Sequence, residues 1–248
     1  MDVTVLGSSA MYATRDVPAT GYIVTLDGFR LWMDAGGGTW QRLLSLIDYR
    51  DVDGILLSHR HPDHTIDVFQ AFHARAYGVY GALPPIPLWA PAETVDRITT
   101  FSPELREVFE INLIAAGDTV DIGGTKTTFF EMAHPAETCG VRIESGSEVL
   151  SYTADTGPAA DLHGLARDAD LFISEATFQD RDQPWWEGHM SATLAGRAAR
   201  ESGVRRLMLS HLPEGRDLET SLSEARLAAG DIEVVLAEAG TTTQVGSR

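Results

Sequence analysis

The sequence predicts an α+β fold, a four-layer αβ/βα sandwich made by a single domain over residues 1–248. Two observations predict it. Each half of the chain begins with candidate strands and continues with alternating helices and strands. The chain, with 44% hydrophobic residues, is also long enough to bury about 70–75% of its extended surface. Two such halves bury the most apolar surface when their sheets stack and helices cover the outer faces.

In the first half, short runs of Val, Ile, Leu and aromatic residues predict strands, and apolar residues at helical spacing predict helices. The segment Asp34-Ala35-Gly36-Gly37-Gly38 ends the third strand, because glycine-rich segments favour turns. The predicted strands are 2–7, 20–26, 29–33, 54–58 and 86–90, and the predicted helices are 40–47, 65–79 and a segment after Pro91.

The second half repeats this order. Ser191 is a candidate N-cap of an alanine-rich helix, because a serine hydroxyl accepts a hydrogen bond from the first helical turn. Gly203 is expected to end that helix. The predicted strands are 118–122, 125–132, 139–144, 148–153, 170–174, 204–209 and 232–236, and the other predicted helices are 158–167 and 219–229.

Charge and cysteine content exclude several classes of protein. The 19 Lys and Arg face 36 Asp and Glu, which gives a formal charge of −17, and an acidic surface repels long nucleic acids. The single cysteine, Cys139, cannot form an internal disulfide or a cysteine-rich zinc site. The sequence has no apolar run of about 20 residues and no signal-peptide pattern at its start. We therefore expect a cytoplasmic protein that binds neither membranes nor long nucleic acids.

The strongest functional signal is the segment Ser58-His59-Arg60-His61-Pro62-Asp63-His64, directly after a predicted strand. His59 and His61 are two residues apart and point the same way in an extended chain. Asp63 and His64 follow at the turn into a helix. A polar loop without function rarely gathers three of a chain's eight histidines. Imidazole and carboxylate side chains in this arrangement predict ligands for zinc, manganese or iron, with room for two metals.

Three further candidate ligands follow predicted strands, where site residues of layered α/β folds collect. They are His134, Asp155 and His211. Each alone is compatible with an ordinary turn residue, but with the first segment they give five histidines and two aspartates. Two metals with three ligands each and one shared carboxylate need that number. We expect two divalent ions, zinc first, with manganese or iron as alternatives.

These motifs resemble those of the metallo-β-lactamase-fold hydrolases over nearly the whole chain, from Val5-Leu6-Gly7-Ser8-Ser9 to His211-Leu212-Pro213. The resemblance implies two metal positions bridged by Asp155. The ligands that it implies are His59, His61 and His134 for one metal and Asp63, His64 and His211 for the other. Asp63 is also counted among the catalytic residues.

A narrower resemblance is to ribonuclease Z and to cyclic-nucleotide phosphodiesterases of the same fold. The runs Ser174-Glu175-Ala176-Thr177-Phe178 and His189-Met190-Ser191-Ala192 imply that Glu175 orients His189 and that His189 assists the leaving group. The segment Gly140-Val141-Arg142-Ile143 is similar to the phosphodiesterases. Only 20 residues separate His134 from Asp155, and the sequence shows no candidate for the Gly/Pro-rich arm with which bacterial ribonuclease Z grips tRNA.

The function predicted first is a phosphodiesterase in which hydroxide bound to two metals attacks a small or cyclic nucleotide. His189 is expected to protonate the leaving oxygen, and Glu175 to fix the tautomer of His189. Three alternatives stay open. They are a thioester, carboxyl-ester or lactone hydrolase at the same site, a tRNA 3′-processing endonuclease, and a metal-binding module without catalysis.

Several residues near these motifs have two interpretations. Three aromatic side chains close to His189 in sequence can stack on a base, or can pack a lid or a contact within a homodimer; they are Trp185, Trp186 and Phe178. Asp34 can hydrogen-bond a ligand histidine or can form an ordinary turn. The candidate phosphate-binding residues are Arg142 and Arg15, which can equally be solvated surface residues.

Overall fold

The computed structural model describes residues 1–183 and 186–246. Within them, the strands form two stacked seven-stranded sheets with helices on both outer faces. The predicted fold class, a four-layer αβ/βα sandwich, is confirmed. The prediction made for Trp185 lies outside the described residues.

The strands come in two groups along the chain. In chain order they are β1 (Asp2–Gly7), β2 (Gly21–Leu26), β3 (Phe29–Met33), β4 (Gly54–Leu56), β5 (Ile86–Ala90), β6 (Phe109–Leu113), β7 (Thr119–Ile122), β8 (Thr125–Glu131), β9 (Cys139–Ser145), β10 (Glu148–Tyr152), β11 (Leu171–Glu175), β12 (Arg206–Ser210), β13 (Glu233–Leu236) and β14 (Thr242–Gln244). Their order is β14-β1-β2-β3-β4-β5-β6 in the first sheet and β13-β12-β11-β10-β9-β8-β7 in the second.

The two sheets share one design. In each, three antiparallel strand pairs are followed by three parallel pairs, and the change comes at β3 in the first sheet and at β10 in the second. Parallel strands end at the same edge of a sheet, where layered α/β folds place their ligands. The loops after β3, β4, β10, β11 and β12 therefore meet at one edge of the sandwich.

Most of the helices lie in the outer layers. They are α1 (Thr39–Leu46), α2 (Pro62–Thr65), α3 (Val68–Tyr77), α4 (Ala92–Phe101), α5 (Leu105–Val108), α6 (Leu162–Ala166), α7 (Ala192–Glu201) and α8 (Leu218–Ala229), with 3₁₀ turns at Tyr49–Asp51 and Asp180–Asp182. No helix in the described part of the chain combines the length and the apolar character needed to cross a membrane.

Three apolar clusters hold the layers together. The central cluster lies between the sheets and contains Tyr22, Met33, Phe129 and Ile143, all nearly inaccessible to solvent. One outer cluster lies under the helices of the first half, and the other lies under α6, α7 and α8. Each fully buried side chain of this size contributes about 1.5–3 kcal/mol, so the clusters fix the loop ends that carry the polar residues.

The predicted helix 65–79 is two helices, α2 and α3, with a break at Asp67. The amide of Asp67 donates to the carbonyl oxygen of Ala35 at 2.9 Å, and its carboxylate accepts from the amide of Trp40 at 2.8 Å. These tertiary hydrogen bonds replace the backbone hydrogen bond that the Asp67 amide would make within one continuous helix. The break lets α2 carry Asp63 and His64 at an angle to α3.

Other boundaries differ at the ends of elements. Ser191 caps α7 as predicted, since its hydroxyl accepts from the amide of Leu194 at 3.2 Å. The helix predicted from residue 158 begins only at Leu162, because the Asp161 side chain caps it there. Strands β6 and β14 and the short helix α5 were not predicted. Both strands are short edge strands with mostly exposed side chains, so they lack the apolar pattern that marks a buried strand.

Candidate metal centre

All seven predicted ligands meet at the edge where the parallel strands end. Their donor atoms form two groups, and within each group all lie within 4.8 Å of one another. We call His59, His61 and His134 the histidine cluster, and Asp63, His64 and His211 the carboxylate cluster. Asp155 belongs to both groups, as a bridging carboxylate must.

Strand ends from both sheets place these side chains. His59 and His61 follow β4, and α2 carries Asp63 and His64; His134 follows β8, Asp155 follows β10, and His211 follows β12. Three residues that follow strands have left-handed backbones. Asp34 comes directly after β3, His211 comes directly after β12 and Ala154 lies two residues after β10, with φ of 57°, 54° and 53°. Such conformations cost of order 1–3 kcal/mol each and collect at functional sites. Here they turn the chain so that side chains face the centre.

The histidine cluster is built from facing ring nitrogens. His61 Nδ1 lies 3.0 Å from His59 Nε2 and 3.2 Å from His134 Nε2. His134 Nδ1 donates to the carbonyl oxygen of Gly188 at 2.9 Å, so its Nε2 lone pair faces the cluster. Burial lowers the pKa of all three imidazoles, that of His61 to about 4. Neutral imidazole is the form that binds metals.

The carboxylate cluster mixes charges. His211 Nε2 lies 3.3 Å from both Asp63 Oδ2 and Asp155 Oδ1, and His64 Nε2 lies 3.2 Å from Asp155 Oδ1. Burial opposes charge on the two imidazoles, but the carboxylates, Asp155 foremost, raise the pKa of His64 and His211. Burial likewise opposes charge on the two aspartates, but the imidazoles hold the pKa of Asp63 and Asp155 low. The amide of Met11 also donates to Asp63 Oδ2 at 2.8 Å.

Two unpartnered atoms show that this donor set fits divalent cations. His64 Nε2 and Asp155 Oδ1 are buried and lie 3.2 Å apart, and within residues 1–183 and 186–246 neither atom makes a hydrogen bond. Buried polar atoms are almost always paired, and an imidazole nitrogen and a carboxylate oxygen are both good ligands for zinc. A cation between the carboxylate-cluster atoms would satisfy both, and the three facing nitrogens of the histidine cluster are suited to the same kind of ligand.

Asp34 fixes the orientation of two ligand histidines. Its buried carboxylate lies 2.7 Å from His64 Nδ1, so that ring donates through Nδ1 and directs Nε2 into the centre. The hydroxyls of Tyr152 and Ser58 each donate to Asp34 Oδ2 at 2.8 Å. Since the Ser58 hydrogen is used there, the Ser58 oxygen accepts from His59 Nδ1 at 3.0 Å. The hydrogen bond predicted between Asp34 and a ligand histidine is present.

Glu175 holds His189 beside the centre. Its buried carboxylate accepts from His189 Nδ1 at 2.7 Å, from the Thr156 amide at 2.7 Å and from the Met190 amide at 3.2 Å. The His189 ring centre lies 5.2 Å from that of His134 and 5.3 Å from that of His211. His189 therefore lies beside both clusters, and in the described part of the chain its Nε2 makes no hydrogen bond.

Thr177 links Glu175 to the carboxylate cluster. The Thr177 hydroxyl donates to Glu175 Oε2 at 2.7 Å, so its oxygen accepts from His211 Nδ1 at 2.9 Å. The Nδ1 hydrogen of His211 is therefore used on Thr177, and Nε2 is directed at Asp63. Donor atoms of Glu175, His189 and His211 also lie within 4.8 Å of one another. Because Glu175 already accepts four hydrogen bonds, it has no lone pair for an ion there.

The structure separates the remaining candidates. The Trp186 ring lies 5.2 Å from that of His189 and is half exposed, and the Phe178 ring lies 6.2 Å from His189. Arg142 is not at the centre, because its guanidinium is bound to Glu144 and to two carbonyl oxygens near the end of α6. Arg15 is exposed on the loop between β1 and β2.

Sequence reasoning missed three residues that support the centre. Ser58 and Thr177 lie inside the motifs themselves, where a hydroxyl beside a histidine or a glutamate was the available signal. Tyr152 had no signal, because it lies 118 residues from Asp34 in sequence. Gly36 is required by a close approach, since a Cβ there would collide with the carbonyl oxygen of Asp63.

A two-sheet sandwich with a two-cluster His/Asp centre at its edge is the architecture of a class of metal-dependent hydrolases. Residues 18–212 match the family described as the beta-lactamase superfamily domain. The chain belongs to this superfamily. Together, this membership and the ligand clusters support a metal-dependent hydrolase.

Curated relatives extend over most of the chain. An uncharacterized protein of Mycobacterium leprae (strain TN) is 34% identical over 233 residues, which are 90% of this chain and 82% of that protein. The probable metallo-hydrolase YhfI of Bacillus subtilis (strain 168) is 29% identical, covering 86% of this chain and 87% of YhfI. Ribonuclease Z of Kineococcus radiotolerans is 26% identical, covering 93% and 90%.

Solved structures show the same fold. The crystal structure of the metallo-beta-lactamase fold protein YhfI from Bacillus subtilis superposes with a TM-score of 0.89 at 25% identity, covering 98% of both chains. Human tRNase Z, short form, superposes with a TM-score of 0.78 at 22% identity, covering 100% of both chains. A diphosphatase from the PhnP family gives 0.78 at 17% identity, covering 98% and 97%. The last two likenesses concern the fold alone.

Proposed function

We propose that this chain is a two-metal phosphodiesterase that acts on a small or cyclic nucleotide-type phosphodiester. We further propose that residues 1–248 form one hydrolase domain, because the centre draws its ligands from both sheets. The observation that carries the proposal is the Glu175–His189 pair, bonded at 2.7 Å and set beside both clusters.

The proposed ligands are the seven clustered side chains, with zinc as the first expected metal and Asp155 as the bridge. Divalent ions held by these residues would lower the pKa of a bound water and would neutralise charge on the phosphoryl oxygens. The protein's own contribution is orientation. Asp34 and Thr177 hold ligand rings in the tautomer that presents Nε2, and the Met11 amide positions Asp63, which we count as catalytic as well as a ligand.

His189 supplies what an alkoxide leaving group needs. An alkoxide is a strong base, so its departure is faster when a neighbouring group donates a proton. Glu175 accepts from His189 Nδ1, which fixes the tautomer and the orientation of the ring and keeps Nε2 for the leaving group. A thiolate leaving group needs no such proton, because thiols ionise near neutral pH. The pair therefore favours a phosphodiester or an ester over a thioester.

Trp186 favours a nucleotide. Its ring is half exposed beside His189 and His134, where it is available to stack on a base, a contact that every base can make. The formal charge of −17 disfavours a long polynucleotide. A small or cyclic nucleotide satisfies both conditions.

The test is hydrolysis of bis-(p-nitrophenyl) phosphate by zinc-loaded and manganese-loaded protein. We expect turnover that Asp155→Ala abolishes, because the bridge serves both clusters. Asp96→Ala, an exposed position on α4, is the matched control and should leave turnover unchanged. Metal-replete protein that hydrolyses thioesters or lactones but no phosphodiester would contradict the proposal.

A tRNA 3′-processing endonuclease is the second candidate. It is favoured by the similarity to ribonuclease Z of Kineococcus radiotolerans over 93% of this chain. The acidic charge opposes it. Incubation of the pure, metal-loaded protein with a precursor tRNA distinguishes the two, since accurate 3′ cleavage would replace the small-nucleotide proposal.

A further inference from the structure

A cavity of about 510 Å³ lies against the loop that joins β1 to β2. Arg15 lines it from this loop, and Arg42 lines it from α1. Within residues 1–183 and 186–246, neither guanidinium makes an ion pair or a hydrogen bond. Asp16 is the one carboxylate of the lining, so the cavity carries a net positive charge.

Other arginines around the centre are neutralised. Arg60, between two ligand histidines, is paired with Glu93 at 2.6 Å, and Arg216, beyond His211, is paired with Asp182 at 2.6 Å. The arginines of the cavity thus differ from these two, because within the described residues their charges are not paired with a carboxylate. Two arginines and one carboxylate leave this concave surface with a net positive charge, and so with a local positive field even in a chain of charge −17.

The cavity lies beside the carboxylate cluster. The Met11 amide that binds Asp63 is four residues before Arg15, so the two Cα atoms are at most about 14 Å apart. Ala13, which lines the cavity, lies next to Gly37, and so does Ile66 at the end of α2. Ile66 is half exposed. Gly37 thus brings Ala13, in the cavity lining, close to Ile66, which follows the helix that carries Asp63 and His64.

We infer that Arg15 and Arg42 form an anion-binding subsite that takes a second phosphate of the substrate. Guanidinium groups bind phosphate oxygens through paired, charge-assisted hydrogen bonds. The inference rests on the proposed phosphodiesterase function and narrows its substrate class. The substrate carries one phosphodiester at the metal centre and a further phosphate group that the two arginines bind.

The experiment compares two substrates and three forms of the metal-loaded protein. The substrates are the dinucleotide ApA and its 5′-phosphorylated form pApA, which differ only in the second phosphate. The forms are the natural chain, Arg15→Gln/Arg42→Gln, and the control Arg97→Gln/Arg200→Gln. The control removes the same charge from two exposed arginines on α4 and α7.

We expect the natural chain and the control to have a KM for pApA about tenfold lower than for ApA, as charged hydrogen bonds imply. In Arg15→Gln/Arg42→Gln the two KM values should become equal, while kcat and KM for ApA stay unchanged. If the ratio of the two KM values is unaltered in that variant, the inferred subsite is refuted. An equal loss in the control also overturns it, because the effect would then be one of overall charge.

Two further measurements separate the possible failures. Calorimetric titration with pApA and ApA tests the subsite even if no phosphodiester is hydrolysed, whereas the bis-(p-nitrophenyl) phosphate assay tests the proposed function. Titration with inorganic phosphate tests the other source of the same anion. If Arg15→Gln/Arg42→Gln loses phosphate binding but keeps the ratio of the KM for pApA to the KM for ApA, the site binds free phosphate. That result overturns the inference that it binds a phosphate group of the substrate.

Discussion

Two buried carboxylates support the metal centre from opposite sheets, Asp34 after β3 and Glu175 at the end of β11, and they use the same arrangement. Each lies 2.7 Å from the Nδ1 atom of one histidine. Each also reaches a second histidine through a hydroxyl group, Ser58 for Asp34 and Thr177 for Glu175. In both cases the single hydroxyl hydrogen goes to the carboxylate, so the oxygen must accept from the ring.

The two arrangements differ in the histidine that the carboxylate contacts directly. For Asp34 it is His64, whose Nε2 is buried among the ligand atoms. For Glu175 it is His189, which belongs to neither ligand cluster and lies between them. A carboxylate–histidine pair can therefore orient a metal ligand or position a proton donor, and the direction of the other ring nitrogen decides which. We therefore expect Asp34 to affect metal binding, and Glu175 to affect both metal binding and the departure of the leaving group.

The largest effect should come from His189→Ala. Because a positioned general acid contributes about 10²–10⁴-fold, we expect kcat to fall by that range for a phosphodiester with an alkyl leaving group. The loss should be much smaller with p-nitrophenolate, which leaves without a proton. Metal content, measured by mass spectrometry of the dialysed protein, should match the natural chain.

His163→Ala is the control for that substitution, since His163 is exposed on α6, away from the clusters. An alkyl substrate that is hydrolysed at the natural rate by His189→Ala would remove the role of His189 as acid. If His189→Ala lost both metal and rate, His189 would contribute to metal binding, as His64 is expected to do.

Asp34→Asn should break the other arrangement. The amide group loses the charge, and its NH₂ opposes donors already present on His64, Ser58 and Tyr152. Removing a residue that orients a ligand typically weakens metal binding about 10–100-fold. Dialysis against a graded series of chelator concentrations measures this, with Asp96→Asn as the exposed control. If Asp34→Asn retained as much metal as the control at every chelator concentration, the assignment of Asp34 to metal binding would be refuted.

The sequence was sufficient for the fold class and for which side chains meet at the centre. Histidine is a rare residue, and the candidate ligands lie just after apolar strands. The clustering of His59, His61 and His64 is therefore visible without a structure. Strand ends such as those before Asp155 and His211 are equally visible as apolar runs. Most of these side chains follow parallel strands, which end at one edge, and His134 reaches the same edge from β8, which pairs antiparallel with its neighbours.

What the sequence lacked was long-range information. Asp67 breaks the predicted helix 65–79 through bonds to Ala35 and Trp40, which local helix propensity does not contain. Arg142 and Arg15 were equivalent as candidate phosphate-binding residues until the structure showed Arg142 bound to Glu144. Arg42 had no signal, because its place beside Arg15 depends on how α1 packs against the β1–β2 loop.

The smallest effect should come from Thr177→Val, and it separates the two tasks of Glu175. Valine keeps the shape of threonine but leaves the buried Nδ1 hydrogen of His211 unpaired, which costs about 1–3 kcal/mol. We expect metal binding in the carboxylate cluster to weaken roughly tenfold, measured by chelator competition. Thr177→Ser, which keeps the hydroxyl, should restore it.

Glu175 keeps three of its four hydrogen-bond donors in Thr177→Val, including His189. The rate per fully loaded enzyme with an alkyl leaving group should therefore stay near that of the natural chain. A reduced rate at full metal occupancy would show that Thr177 acts through His189 instead of His211. Ser58→Ala is the counterpart in the other sheet: it should weaken binding at the histidine cluster, because Ser58 supports His59 as Thr177 supports His211.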